Sequence, residues 1–158
     1  MAKNAISTIV LDVDDNGREF EGTCNAADFQ PGMFVEDTAN DEEFALNAVA
    51  NEAGSRKILT EKAAGLMGNN DVTYQHASGD RVFARQMQQG RKYAALVVGA
   101  VNYTKNMALT QNGAGVLKQA ATGNAIVARV AEAQDLSALG AGVLTLVKVT
   151  AVVDETAP

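Results

Sequence analysis

The chain has 158 residues, a mass of 16.5 kDa and a formal net charge of −6, enough for one real hydrophobic core and for one domain, or one domain with an arm. Hydrophobic residues make up 47% and charged residues 20%, which excludes a disordered chain. The 28 Ala, 17 Val and 14 Gly stand against 8 aromatics and no Trp, so the predicted core is built of small side chains and is thin enough to make burial against a partner plausible.

No apolar run approaches the roughly 18 residues of a membrane span, and Met1 to Asn4 lacks the basic head and apolar stretch of a secretory signal. Cys24, as the one cysteine, excludes an intrachain disulfide, and His76, as the one histidine, excludes a histidine-rich metal site. Charge is unevenly spread. Residues 1–62 hold 13 acids and 5 bases, whereas Arg81 to Ala131 holds seven bases (Arg81, Arg85, Arg91, Lys92, Lys105, Lys118, Arg129) and no acid. That segment either faces something acidic or is covered by the acidic first half.

In chain order, Ile6 to Val13 reads as a strand ending in the turn Asp14-Asp15-Asn16-Gly17, with Arg18 to Thr23 returning as its hairpin partner. Gln30-Pro31-Gly32-Met33 has the signature of a type II turn, and Met33 to Glu36 follows as a short strand. A principal helix is predicted over 41–53, capped by Asn40, with Glu43 at the capping-box position and Gly54 as its stop. Thr60 to Met67 could add a turn or two of helix. Beyond Val72 the apolar segments Arg81 to Met87, Tyr93 to Val98, Met107 to Thr110, Val116 to Lys118, Ala125 to Ala131 and Val143 to Val153 are separated by turn signals, the spacing of an all-β sandwich or barrel. No internal sequence repeat is visible.

Motifs for chemistry are incomplete. Asp12, Asp14, Asn16 and Gly17 match the first half of a calcium loop, but Thr23 stands where the bidentate Glu is needed; a hairpin turn explains the same residues, and weak calcium binding by Asp12 and Asp14 is left open. Gly65 to Gly68 and Gly113 to Gly115 read as turns, since neither precedes Lys-Ser or Lys-Thr. His76 lies near Ser78 and Asp80 without a nucleophile motif, and Cys24 has no basic flank to activate it. The expectation is therefore no catalytic residues, no metal and no cofactor.

Several segments taken in order resemble the capsid decoration, or cement, proteins of tailed bacteriophages. They are Pro31-Gly32-Met33-Phe34-Val35, Lys57 to Glu61, Tyr74 ahead of Gly79-Asp80-Arg81-Val82, Gly90, Met107-Ala108-Leu109 with Asn112-Gly113, Ile126 to Arg129 with Glu132 to Asp135, and the valine-rich closing strand. The resemblance covers roughly residues 30–150. It implies a mainly β fold, a small β-barrel or β-tulip-like domain over 10–158 with the one short helix near 41–53 and an N-terminal arm over 1–9. It further implies a virion structural protein, not an enzyme, made in the host cytoplasm and bound to the outer surface of the assembled capsid, where it bridges subunits of the major capsid protein. Its own oligomer is expected to be a homotrimer, with a dimer as the alternative. Ala2, Lys3, Asn4, Arg91 and Lys92 are the expected capsid or protomer contacts; a membrane partner is not expected. The competing reading is a small β-barrel that binds single-stranded nucleic acid through segment 81–131, with Phe83, Tyr93 and Tyr103 as stacking platforms, although the net negative charge opposes it.

Overall fold

The computed structural model describes residues 9–12, 17–60 and 74–158. They form two closed five-stranded barrels, so the chain is mainly β as expected, with two small barrels in place of one. The N barrel is built from β1 (Glu19–Cys24), β2 (Phe34–Asp37), β3 (Glu43–Leu46), β4 (Lys57–Leu59) and β5 (Arg81–Gln86), in the spatial order β1-β3-β2-β4-β5. The C barrel is built from β6 (Lys92–Val98), β8 (Ala108–Gln111), β9 (Leu117–Gln119), β10 (Ala125–Val130) and β12 (Leu144–Thr156). Around this barrel the order is β6-β9-β8-β10-β12, which is the N barrel's order with strands counted from its own first. In each barrel the first and third strands pair in parallel and the other pairs are antiparallel. Topology repeats where sequence does not.

The likeness extends to the barrel mouths. Outside the N barrel, Phe29 makes an antiparallel bridge to His76; in the C barrel the same place is taken by β7 (Asn102–Tyr103) paired with β11 (Gln134–Asp135). Phe29 and Tyr103 are both fully buried and plug their barrels. Four residues after each comes a methionine that closes a tight turn, Met33 N–H to Gln30 C=O and Met107 N–H to Thr104 C=O, both at 3.1 Å. The third turn residue has positive φ in each, 89° at Gly32 and 69° at Asn106, as a type II turn demands.

The helix expected over 41–53 is absent: Glu43–Leu46 is β3, paired with β2 and β1. The residues that read as a helix cap build a hairpin turn. The Glu43 carboxylate accepts from the Thr38 hydroxyl at 2.7 Å and the Asn40 amide at 2.9 Å, and Glu42 takes φ 53°. Those two hydrogen bonds hold the Glu43 carboxyl below its ordinary range. Polar side chains that can cap a helix can equally satisfy a turn, and burial of Phe44 in the barrel decides between them.

The hairpin expected between residues 6–13 and 18–23 is not found among the described residues, where β1 pairs with β3 and β5 instead. Ile9 to Leu11 runs along β6, with Val10 bridged to Tyr93, Ala94 N–H donating to Ile9 C=O at 2.7 Å and Leu11 N–H to Lys92 C=O at 3.1 Å. Ile9 is fully buried in the C-barrel core. The additional helical turns considered for Thr60 to Met67 fall, from residue 61 on, outside the described residues.

The barrels interlock. Leu96 N–H donates to Gly32 C=O at 3.0 Å, Phe34 N–H to Gly115 C=O at 2.6 Å and Asn51 N–H to Gln111 C=O at 2.9 Å. Phe34 and Ile58 of the N barrel enter the core of Tyr93, Val97, Leu109, Val147 and Val149, while Leu96 and Val116 of the C barrel enter that of Phe29, Phe44, Leu59 and Val82. Gly32 is required at its place, since a Cβ would meet Leu146 Cδ2 at 2.6 Å and the Ala94 carbonyl at 3.3 Å.

Candidate functional site

Arg91 closes the turn after β5 with its N–H on the Gln88 carbonyl at 3.1 Å. Exposed Lys92 follows as the first residue of β6, its backbone N–H held by the Asp12 carboxylate at 2.8 Å. Both cations therefore sit on a backbone fixed at four points, since Ala151 N–H also donates to Arg91 C=O at 2.9 Å and Leu11 N–H to Lys92 C=O. Lys92 is in register with Thr150 on β12, and Thr150 with Arg129 on β10. A lateral row of this kind puts neighbouring side chains about 5 Å apart on one face. Ala2, Lys3 and Asn4, the other expected contacts, lie outside the described residues.

Among the described residues, three of the seven bases in the acid-free segment have an acidic partner. Arg81 meets Glu21 at 2.8 Å, Arg85 meets Glu19 at 3.2 Å, and Arg129 pairs with Glu155. The acidic first half thus covers part of the basic stretch. The aromatics do not offer a stacking surface for nucleic acid: Tyr93 and Tyr103 are fully buried, and Phe83 is half-buried. Tyr93 accepts the Gln88 N–H at 2.9 Å and Tyr103 donates to the Val98 carbonyl at 2.8 Å. Burial pushes the Tyr103 phenol up to about 12.

The described polar residues weighed for chemistry make contacts within the fold. Asp12 binds the Lys92 backbone; Asp14 and Asn16 lie outside the described residues, as does Gly65 to Gly68, while Gly113 and Gly115 have φ of 89° and 72° and shape the turn between β8 and β9. His76 Nδ1 is 3.9 Å from Asp80 Oδ2, too far for a hydrogen bond, and that carboxylate accepts the Ala77 N–H at 2.8 Å. Burial, partly offset by Asp80, lowers the tendency of His76 to take a proton. Ser78 points elsewhere, to the Asn25 carbonyl at 3.4 Å. The Cys24 thiol is pushed up to about 12, first by burial and then by Asp80, which removes the thiolate a nucleophile needs. Among the described residues, no three His, Cys, Asp or Glu side chains come together as a metal site.

One surface feature was not singled out from the sequence. Ser137 to Leu144 is the longest exposed run among the described residues and carries no charge, and it presents Leu139, Val143 and Leu144. The signal was available as a twelve-residue stretch without charge, Leu136 to Val147, but its glycines read only as a turn.

No family model matches the chain, and no curated protein matches it in sequence. In fold it is similar to the head fiber gp8.5 N base of bacteriophage phi29, with a TM-score of 0.53 and 12% identity, over 85% of this chain and 93% of that one.

Proposed function

We propose that this chain is a virion structural protein of a tailed phage, which binds the outer surface of the assembled capsid as a symmetric homo-oligomer and stabilises the shell by bridging subunits of the major capsid protein. The observation that carries the reading is a fold shared with nearly the whole of a head-fiber base. The ordered set of segments that resembles capsid decoration proteins points the same way. Two interlocked closed barrels with few free strand edges make a rigid body. A rigid oligomer engages several capsid subunits at once, so that modest contacts per protomer sum through effective concentration.

Arg91 and Lys92 are proposed contacts to an acidic shell surface, and the arm before Ile9 a proposed strand-pairing element. The test is co-sedimentation with mature heads that lack the protein, taken from the phage that encodes it. Wild type should pellet with the heads, and Arg91→Glu with Lys92→Glu should weaken pelleting in a salt-dependent way. Deleting residues 2–7, which spares the buried Ile9, should weaken it without altering the melting temperature. Failure of the wild type to pellet would remove the reading.

A further inference from the structure

The shared strand order sets β1 and β6 in the same register. The inward pair Cys24 and Phe44 matches Val97 and Leu117, so Glu19 matches Lys92, Phe20 matches Tyr93 and Glu21 matches Ala94. In each barrel the first strand is longer than its parallel contact with the third, which leaves its N-terminal half in need of another neighbour. In the C barrel it has one. Ile9 to Leu11 runs antiparallel beside β6, with Ala94 N–H on Ile9 C=O at 2.7 Å, Leu11 N–H on Lys92 C=O at 3.1 Å and Lys92 N–H on the Asp12 carboxylate at 2.8 Å. Ile9 and Tyr93 are fully buried in one core.

In the N barrel no strand fills the equivalent edge among the described residues. Cys24 N–H donates to Asp80 C=O and Gln86 N–H to Arg18 C=O, so the even-numbered residues of β1 face β5. Thr23 N–H donates to Glu42 C=O and Asn25 N–H to Phe44 C=O, so the odd-numbered residues face β3. Yet β3 begins only at Glu43, opposite Thr23. The backbone groups of Glu19 and Glu21 point past its start and make no backbone hydrogen bond on that side among the described residues. Both residues are exposed, and Phe20 is half-buried where Tyr93 is fully buried. Outward N–H and C=O groups in a row are a template for an added strand.

We infer that the Glu19–Glu21 edge of β1 is a strand-acceptor site, filled on the virion by an extended segment of the shell subunit that runs antiparallel to β1 and carries an aliphatic residue with an acid three positions on. The C barrel supplies the pattern, since Ile9 enters its core and Asp12 holds the Lys92 N–H. At the N barrel the matching acid would accept from Glu19 N–H and meet Arg18. That exposed guanidinium lies 4.8 Å from the centre of the Phe20 ring and has no acidic partner among the described residues, so the charges are complementary. The aliphatic residue would complete the burial of Phe20. This chain's own segment of that pattern is already in use, with Ile9 fully buried in the C barrel. Pairing β1 with β1 of a second copy would set Glu19 and Glu21 against the same glutamates, which opposes it. A different chain is left as the occupant, and the proposed function names it.

The inference rests on that proposed function, and the experiment keeps the two apart. A fluorescein-labelled peptide of residues 5–13, which contains Ile9 and Asp12, is the probe for the edge, and its anisotropy should show saturable binding to wild type. Glu21→Pro removes the N–H that would donate to the added strand, at an edge position where proline is tolerated. It should weaken peptide binding about tenfold or more. Arg18→Glu should weaken it too, and should regain binding with a peptide carrying Asp12→Lys; this swap decides the matter if circular dichroism shows that Glu21→Pro has lost the fold. On mature heads that lack the protein, both variants should pellet less than wild type. A wild type that binds no peptide, or folded variants that bind it as wild type does, would overturn the inference. So would wild-type self-association that Glu21→Pro abolishes, which would give the edge to a second copy. Variants that lose the peptide but pellet normally would remove the shell as occupant, overturning the inference and leaving the proposed function standing. A wild type that takes the peptide through Glu21 and Arg18 but never pellets with heads would do the reverse.

Discussion

The N barrel and the C barrel have the same strand order, the same parallel closing pair and the same aromatic plug, yet they are filled differently. The N barrel closes short strands over Phe29, Phe44, Met33 and Leu59, while the C barrel packs longer strands with Ala95, Ala128, Ala151 and five valines. Their charge differs too, net −8 for residues 1–90 and net +2 for 91–158, where 6 bases face 4 acids. The comparison teaches that barrel closure is set by hydrogen-bond pairing and by a few special positions, here a plug, a methionine and a positive-φ turn residue. The remaining positions are free to take on separate surface roles.

The plugs give the largest expected effect. Phe29→Ala and Tyr103→Ala should each destabilise by about 3–5 kcal/mol, the range for large-to-small changes at buried aromatics. Because the barrels share backbone hydrogen bonds and exchange core residues, either substitution should shift one common unfolding transition. Urea titrations followed by tyrosine fluorescence and by far-UV circular dichroism should coincide, and two separated transitions would show that the barrels unfold independently.

The equivalent turn positions sharpen the comparison at the next scale down. Gly32→Asn places in the N barrel the residue type that the C barrel uses at Asn106, and both positions have positive φ. The N-barrel site also presses against Leu146 and the backbone of Ala94 and Leu96. Gly32→Asn should therefore cost about 1–3 kcal/mol as an overpacked interface, while Asn106→Gly should change stability by less than about 1 kcal/mol. Similar effects of the two changes in chemical denaturation would mean that turn conformation alone is what matters.

Legibility in the sequence follows the same division. The five strands of the C barrel begin within one residue of where alternation and turn residues put them, although β12 runs three residues further than expected, because each is bounded by a turn such as Gln111-Asn112-Gly113 or Thr122-Gly123-Asn124 and buries one face. The N barrel was less legible. Asp41-Glu42-Glu43 is chemically suited to a helix N-terminus and to a hairpin turn alike, and the burial of Phe44 that decides between them comes with the pairing of β3 to distant β1, which leaves no local trace. Ile9 to Leu11 looked like a hairpin strand because its true partner, β6, lies more than eighty residues on. Of the proposed contacts, Arg91 and Lys92 were readable as charges beside a turn. The exposed apolar surface at Leu139 and Val143 was not readable, since its exposure depends on which face the β11–β12 connection turns outward.

At the paired mouths, His76 occupies the position that Gln134 holds in the C barrel. Its protonated form is disfavoured in the fold by burial, so below the ordinary value of 6.5 the unfolded chain binds the proton more readily than the folded one. Stability should be complete above that value and fall as pH is lowered through it toward the folded-state pKa. Thermal melts between pH 7.5 and 5.5 should show this decline in wild type and a flatter profile in His76→Gln, which borrows the C-barrel residue. Equal slopes would remove His76 as the source; Glu43 and Asp135, whose carboxyls are held below their usual range, would act at lower pH.

Surface ion pairs should show the smallest effects and separate the barrels last. Lys57 in the N barrel pairs with Asp37 and lies over the Phe20 ring at 4.1 Å from its centroid, with its side chain only 11% exposed. Lys148 in the C barrel reaches Glu132 at 2.9 Å, but its side chain is 30% exposed and that of Glu132 is 66% exposed. Methionine in place of either lysine keeps the aliphatic stem and removes the charge. Lys57→Met should destabilise by about 1 kcal/mol, because a cation held against an aromatic face away from water keeps more of its attraction. Lys148→Met should change stability by less than about 0.5 kcal/mol, and repeating both in 1 M salt should shrink the Lys148 effect more, since its pair is the better solvated. If Lys57→Met proves neutral at low salt, the aromatic filling of the N barrel does not rely on its cation, and the contrast between the barrels lies in their cores alone.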